Sequence, residues 1–180
     1  MPEYHRVYVQ GATYFFTVVT YLRRPIFDRE SSTELLYECL NAVGATTPFQ
    51  TLALVILPDH LHTIWTLPEN DTDFPTRWKR IKGLFTRQYH EKDLYPISIS
   101  RISKGEKDIW QRRYWEHLIR DDEDLERHYD YIHYNPVKHG YVDHPSKWKF
   151  GTYSSFIQRG IYQPDWGTLP PLSISNMECE

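Results

Sequence analysis

The sequence predicts an α+β domain built on an antiparallel sheet. Segments dense in β-branched and aromatic residues alternate with segments whose apolar residues recur at helical spacing. The longest uninterrupted apolar run, Leu52 to Leu57, suits a buried strand and falls far short of the roughly 20 residues of a membrane span. At 180 residues, 40% hydrophobic and 16% aromatic, the chain is long enough for one ordinary core.

The first element, Thr13 to Tyr21, follows Gly11 and reads as a strand. Ser31-Ser32-Thr33-Glu34 then opens an apolar pattern at Leu35, Leu36, Cys39, Leu40 and Val43 that closes at Gly44, the mark of a capped amphipathic helix. Phe49 to Leu57 is nearly all apolar, as a strand buried on both faces would be. Pro58-Asp59 turns the chain into a third strand, His60 to Thr66, and Pro68 to Asp73 is a polar loop. From Phe74 to about His90, residues Phe74, Trp78, Ile81, Phe85 and Tyr89 hold one stripe of a second helix. Lys92 to Asp108 mixes Pro, Gly and Ser without a period and reads as a surface loop. Ile109 to Ile119 is expected as a fourth strand and Asp121 to Tyr134 as a third helix. Asn135-Pro136 should end that helix, because a residue before proline is pushed out of the α region. The order strand, helix, strand, strand, helix, strand is that of a split βαβ, ferredoxin-like unit. Trp148, Phe150, Tyr153, Phe156, Pro164 and Trp166 then anchor an irregular C-terminal segment. Residues 1–140 are thus expected to form the main domain, with 141–180 an extension packed on it.

Composition narrows the function. With 21 Lys+Arg against 24 Asp+Glu the net charge is −3, and the pI of about 6.3 excludes a globally basic nucleic-acid binder. Any nucleic-acid contact must therefore be local. No charged-then-apolar leader follows Met1, and Cys39 and Cys179 form neither a disulfide framework nor a zinc spacing, which points to a reducing cytoplasm. There is no repeat or low-complexity tract. Six tryptophans exceed what one core usually needs, so some are expected to be exposed or at an interface.

Three constellations could carry chemistry. His60 and His62 open a strand, where residues i and i+2 share a face, so both imidazoles can converge on one metal ion. An isolated pair of this kind is more often two surface or half-buried histidines; the Pro58-Asp59 turn before it and Ile64 after it place this one at a strand entry, where a cleft is expected. Ile64 stands where a His-x-His-x-His phosphohydrolase would need its third histidine. In the third helix, Leu125, Tyr129 and Ile132 form the apolar stripe expected to face the sheet, which makes Tyr129 core and Tyr134 surface. Tyr131 falls at the edge of that stripe, with Asn135 one turn beyond it. The second helix is locally basic: Arg77, Lys79, Arg80, Lys82, Arg87 and Lys92 stand against the single acid Glu91. A solvated face and a phosphate-tracking surface are both open readings of that charge. Arg112 and Arg113 beside Trp110, Tyr114 and Trp115 add the basic and aromatic mixture that suits single-stranded nucleic acid.

Three blocks in this order resemble a known family: Pro58-Asp-His-Leu-His-Thr-Ile-Trp-Thr-Leu-Pro-Glu69, Trp110-Gln-Arg-Arg-Tyr-Trp-Glu-His-Leu-Ile-Arg120 and Asp130-Tyr-Ile-His-Tyr-Asn-Pro-Val-Lys-His-Gly140. They are similar to the IS200-like single-tyrosine transposases, and more narrowly to the REP-associated group, over roughly residues 3 to 166. The resemblance implies an HUH endonuclease on a ferredoxin-like fold. His60 and His62 would be paired ligands of a divalent ion (Mg or Mn), and Tyr131 the nucleophile. Asn135 stands where relatives often place Gln as third ligand. The implied reaction joins the tyrosine to a 5′-phosphate of single-stranded, hairpin-bearing DNA, frees a 3′-OH, and needs no organic cofactor. REP-associated members act on repetitive extragenic palindromes. The resemblance also implies a self-contained monomer, with a dimer as the alternative, in the cytoplasm with the nucleoid and not in a membrane. A hairpin-binding protein that does not cleave, and a metal-dependent phosphohydrolase, remain as other readings of the same residues.

Overall fold

The computed structural model describes residues 6–90, 103, 109–175 and 177. Its main elements are β1 (Thr13–Val19), α1 (Glu30–Thr46), β2 (Gln50–Ile56), β3 (His60–Thr66), α2 (Phe74–Gln88), β4 (Trp115–Leu118), α3 (Asp122–Lys138) and a short α4 (Tyr153–Gln158). The strands form one antiparallel sheet in the order β2-β3-β1-β4. Each helix-containing connection therefore skips one strand, as in the split βαβ arrangement. Among the described residues no helix is long and apolar enough to cross a membrane.

Alternation along the strands sends side chains to two cores. Tyr14, Phe16 and Val18 of β1 and Leu61 and Trp65 of β3 pack against α1 and α2. There Trp65 stacks on Trp78 of α2 with ring centroids 4.2 Å apart. Phe15 of β1, Ala53 and Val55 of β2 and Ile64 of β3 face the other way, onto α3 and the C-terminal segment. That segment also lies along β2: Ile56 donates its N–H to the Phe150 carbonyl and Thr152 donates to that of Leu54, both at 2.9 Å. Gly151 sits between them, where a Cβ would come within 2.8 Å of the Leu54 oxygen, so no side chain fits.

The structure departs from the sequence reading at several points. The first helix starts at Glu30 with no side-chain cap. Ser32 and Thr33 are buried, and the Thr33 hydroxyl bonds to the Phe27 carbonyl at 3.3 Å. Gly44 is interior to that helix, where the Phe49 ring packs against it. The fourth strand is only Trp115–Leu118, with one isolated bridge from Trp110 to Thr20. Ile109 and Trp110 turn into the first core and Gln111 still donates to the Val19 carbonyl of β1 at 2.9 Å, but Arg112 and Arg113 leave the ladder before Trp115 rejoins it. All six tryptophans are at least half-buried and divided between the two cores, with Trp65, Trp78 and Trp110 fully buried, so none stands exposed. The loop expected over Lys92 to Asp108, like Cys179, lies outside the described residues apart from Ser103.

The third helix runs on through Pro136 to Lys138. Proline removes one backbone donor, but the carbonyls of the last turn find partners. His139 donates to Asn135 at 3.0 Å, and Tyr141 to Pro136 and Gly140 to Val137 at 2.9 Å. Gly140 adopts φ +70°, the left-handed conformation that closes a helix end. The helix is also covered on two flanks. Tyr131 is 1% exposed and Tyr134 9%, while Tyr129 is only partly buried against Phe156 of α4.

Arg77 is a structural residue. Its side chain is 3% exposed, pairs with Asp71 at 2.7 Å, and donates to the Pro48 carbonyl at 2.6 Å and the Asp73 carbonyl at 2.9 Å. It ties the start of α2 to the α1–β2 turn and leaves the set of phosphate contacts. Arg77→Met should lower the unfolding free energy by about 2–4 kcal/mol, since it strands three acceptors and a carboxylate. Urea unfolding reads this directly; a change below about 0.5 kcal/mol, the size of an ordinary surface substitution, would return Arg77 to the surface set.

Candidate functional site

The period of two in β3 places His60, His62 and Ile64 on the sheet face that α3 covers. Both imidazoles are 0% exposed. Each is held through Nδ1: His60 against the Asp59 carboxylate at 2.6 Å, His62 against the Thr17 hydroxyl of β1 at 2.9 Å. Burial by itself pushes the Asp59 carboxyl up, but the hydrogen bonds and charges of His60 and Arg23 outweigh it and hold the group below its usual range. A carboxylate fixing one ring nitrogen leaves the other for a ligand.

The facing helix supplies the rest. The Tyr131 ring lies edge-on to His62 with centroids 5.1 Å apart, and the His139 ring lies 5.2 Å from His60. Asn135 is one turn from each and so falls between them, fully buried. The Nε2 of His60 and both amide atoms of Asn135 are buried with no hydrogen-bond partner among the described residues. Lys138 sets its ammonium 3.3 Å from the Tyr131 hydroxyl and 4.8 Å from the ring centre. Orphaned nitrogen and amide atoms at one spot are what a cation-binding site looks like without its ion, so His60, His62 and Asn135 fit a divalent metal. The sequence-predicted His60, His62, Tyr131 and Asn135 are brought together.

The basic residues are divided. α2 lies on the opposite face of the sheet from the histidines. There Lys79, Arg80 and Arg87 line an open cleft of about 440 Å³ between α1 and α2, and Arg80 bonds to the hydroxyls of Thr46 and Thr47. Arg112 and Arg113 are exposed just before β4, whose Trp115 pairs with Thr17, the partner of His62 across β1. Lys82 reaches the same segment, donating to the Gln111 carbonyl at 2.6 Å.

A second polar group shares the α3 face at the β4 edge: ligand-capable atoms of His117, Asp124 and His128 lie within 4.8 Å of one another. Their bonds are mostly internal. Asp124 accepts from His117 Nε2 at 2.8 Å and from the Arg120 backbone at 3.1 Å, and the two imidazoles stack at 4.7 Å. This clamps β4 to the first turn of α3. Asp59, Lys138, His139 and this clamp were not picked out from the sequence. The signal for the clamp was the polar run Asp124, His128, Tyr131, Asn135, spaced as one helical stripe.

These features belong to a DNA-processing enzyme of the transposase class: residues 8–135 match the family model described as Transposase IS200 like, and the chain is a member of that family. Its relatives are more specific. The REP-associated tyrosine transposase of Escherichia coli (strain K12) is 42% identical, covering 92% of this chain and 91% of its own. A Haemophilus influenzae protein provisionally described as a REP-associated tyrosine transposase is 43% identical over 97% of this chain and 98% of its own. A solved REP-associated tyrosine transposase bound to a REP hairpin matches with a TM-score of 0.77 and 41% identity, covering 92% of this chain and 91% of that one.

Burial pushes the Asp124 carboxyl up, but hydrogen bonds from His117 and Arg120 overcome this and bring it down to about 2. A carboxyl depressed in the folded state stabilises above its unfolded value near 4 and loses that contribution as pH falls toward the folded one. Asp124→Asn should therefore cost about 1–2 kcal/mol at pH 7, with the gap to the parent closing as pH drops from about 4 toward 2. Urea titrations across that range test the sign; a gap that widens in acid contradicts it.

Proposed function

We propose that this protein is a metal-dependent single-stranded DNA endonuclease and strand transferase that acts beside a hairpin. Tyr131 is its nucleophile and His60, His62 and Asn135 its cation ligands. The observation that carries this reading is the meeting of Tyr131 with His62 next to the orphaned His60 Nε2 and Asn135 amide. All four belong to one chain, which also supports action as a monomer. The REP hairpin held by the solved relative supports repetitive extragenic palindromes as the substrate class.

The residues divide the work. The Tyr131 oxygen attacks the phosphorus, the P–O3′ bond breaks, and a 5′-phosphotyrosine and a 3′-OH result. The ester retains the bond energy for rejoining, so no nucleotide is consumed. A phenol of ordinary acidity is a weak nucleophile at neutral pH; the Lys138 ammonium, 3.3 Å away, favours negative charge on its oxygen. A divalent ion such as Mg or Mn, when bound, would offset charge developing on the phosphate oxygens. Asp59 accepts from His60 Nδ1 and so fixes the tautomer that presents Nε2, and the Thr17 hydroxyl holds the His62 ring in orientation. Burial of both imidazoles keeps them out of bulk water and strengthens the electrostatic contacts they make. Arg112, Arg113 and Lys82 stand at the same end of the sheet as His60 and are the phosphate contacts nearest the chemistry. Lys79, Arg80 and Arg87 could hold only DNA that passes to the far face. Affinity resting on such contacts weakens with salt. The enzyme would work in the cytoplasm, with the nucleoid DNA.

A denaturing gel with end-labelled hairpin DNA, with Mn and with chelator, tests the reading. A protease-sensitive, metal-dependent adduct should form and disappear in Tyr131→Phe, with hairpin affinity changed by less than about twofold. Tight binding without any adduct would instead favour a non-cleaving hairpin binder, and cleavage without an adduct a phosphohydrolase. Asp59→Asn should weaken Mn binding, followed by calorimetry, by roughly 10–100-fold. Unchanged Mn affinity in both Asp59→Asn and His60→Ala would sink the ligand assignment.

A further inference from the structure

A row of aromatic rings leaves the site at His60. His139, the residue that ends α3, is the first ring out, its centroid 5.2 Å from that of His60. Tyr141 follows 5.9 Å further on, nearly parallel to His139 at 28°, and Trp148 lies 5.6 Å beyond at 31°. Rings this close to parallel, at these separations, overlap at their edges and not face to face. They form a tiled strip, of which Tyr141 is the exposed member and His139 and Trp148 are partly buried. Tyr141 is 44% exposed and belongs to neither core.

The strip is rigid. Trp148 donates its indole N–H to the Ile56 carbonyl of β2 at 3.0 Å, and the Tyr141 backbone is pinned to Pro136 at 2.9 Å. An exposed, backed and fixed aromatic ring contributes little to stability, and its chemistry is the recognition of another flat π-system. Lys138, next to His139, adds a cation at the same end.

We propose that Tyr141, backed by His139 and Trp148, is a stacking platform for an unpaired base adjoining the scissile phosphodiester. This rests on the function proposed above. Every base has a π-face, so the platform accepts any of the four, but only a base outside a duplex presents that face. The strip thus selects a single-stranded flank over a paired stem at the position next to His60.

The test uses the full chain in chelator, so that binding is read without cleavage. Two probes are compared by fluorescence anisotropy, a REP hairpin with a single-stranded flank and the same hairpin trimmed to its stem. Tyr141→Ala should bind the flanked hairpin about tenfold more weakly, within the range for loss of one base stack, and the trimmed hairpin unchanged. Tyr141→Trp should restore the flanked affinity. A 2-aminopurine in the flank should be quenched by the parent and not by Tyr141→Ala. Equal affinity of Tyr141→Ala and parent for the flanked probe, or an equal loss on both probes, overturns the platform while the Tyr131 adduct reading stands. A parent that binds neither probe overturns both.

Discussion

The site depends on one packing arrangement, the laying of α3 across the sheet face that carries His60 and His62. That contact sets polar groups among the apolar residues of the second core. Asp124, His128, Tyr131 and Asn135 form a single stripe down the helix, and all four are buried. Buried polar groups are costly unless they are matched. At the N-terminal end they are matched within the protein, by His117 and Arg120. At the C-terminal end, at Asn135 and His60, they are left over. The helix therefore passes from structure at one end to function at the other. Phe15, which lies against His62, His128 and Tyr131, is the apolar post on which the two ends share a support.

The same arrangement explains which parts of the fold could be read from the sequence. β1, β2 and β3 are dense in apolar and β-branched residues and α2 carries one apolar stripe, so composition and the 3.6-residue period mark them clearly. α3 buries a mixed face, Ile132 beside Asp124, His128 and Asn135, and a wheel weighted by hydrophobicity misplaces two of its tyrosines. Such a wheel sets Tyr129 in the core and Tyr134 at the surface, whereas Tyr134 is buried and Tyr129 is only partly so. The spacing of Tyr131 and Asn135 was legible nonetheless, because it does not depend on which face is buried. Lys138 and His139 were hidden behind Pro136, whose usual meaning is an end of helix. The local backbone bonds from His139, Gly140 and Tyr141 take up the last carbonyls and close the helix only beyond it. The departure at Arg112 and Arg113 was equally out of reach, since it comes after Trp110 is fixed in a core that no local pattern reveals.

Charge is distributed with a similar division. The sequence places a dense basic run on α2, and the fold puts that helix behind the sheet from the histidines. One of its cations, Arg77, is consumed in holding α2 to the preceding turn. Lys82 alone reaches round toward the β1 end, through the Gln111 carbonyl. A run of like charges in sequence is therefore not one surface in space. Here it resolves into a structural brace, a bridge and an open cleft.

The segment at Phe150 to Thr152 has one more consequence. An outermost strand normally offers a ladder of free amides and carbonyls to any passing chain, and sheets left open in this way invite pairing between copies. β2 is such a strand, but its outward N–H of Ile56 and carbonyl of Leu54 are already engaged by Phe150 and Thr152. Gly151 makes the fit possible by carrying nothing that would hold the backbones apart. The C-terminal segment acts in this sense as a selvedge: from within the chain it finishes the Leu54 to Ile56 end of the margin along which a second molecule could have been woven in.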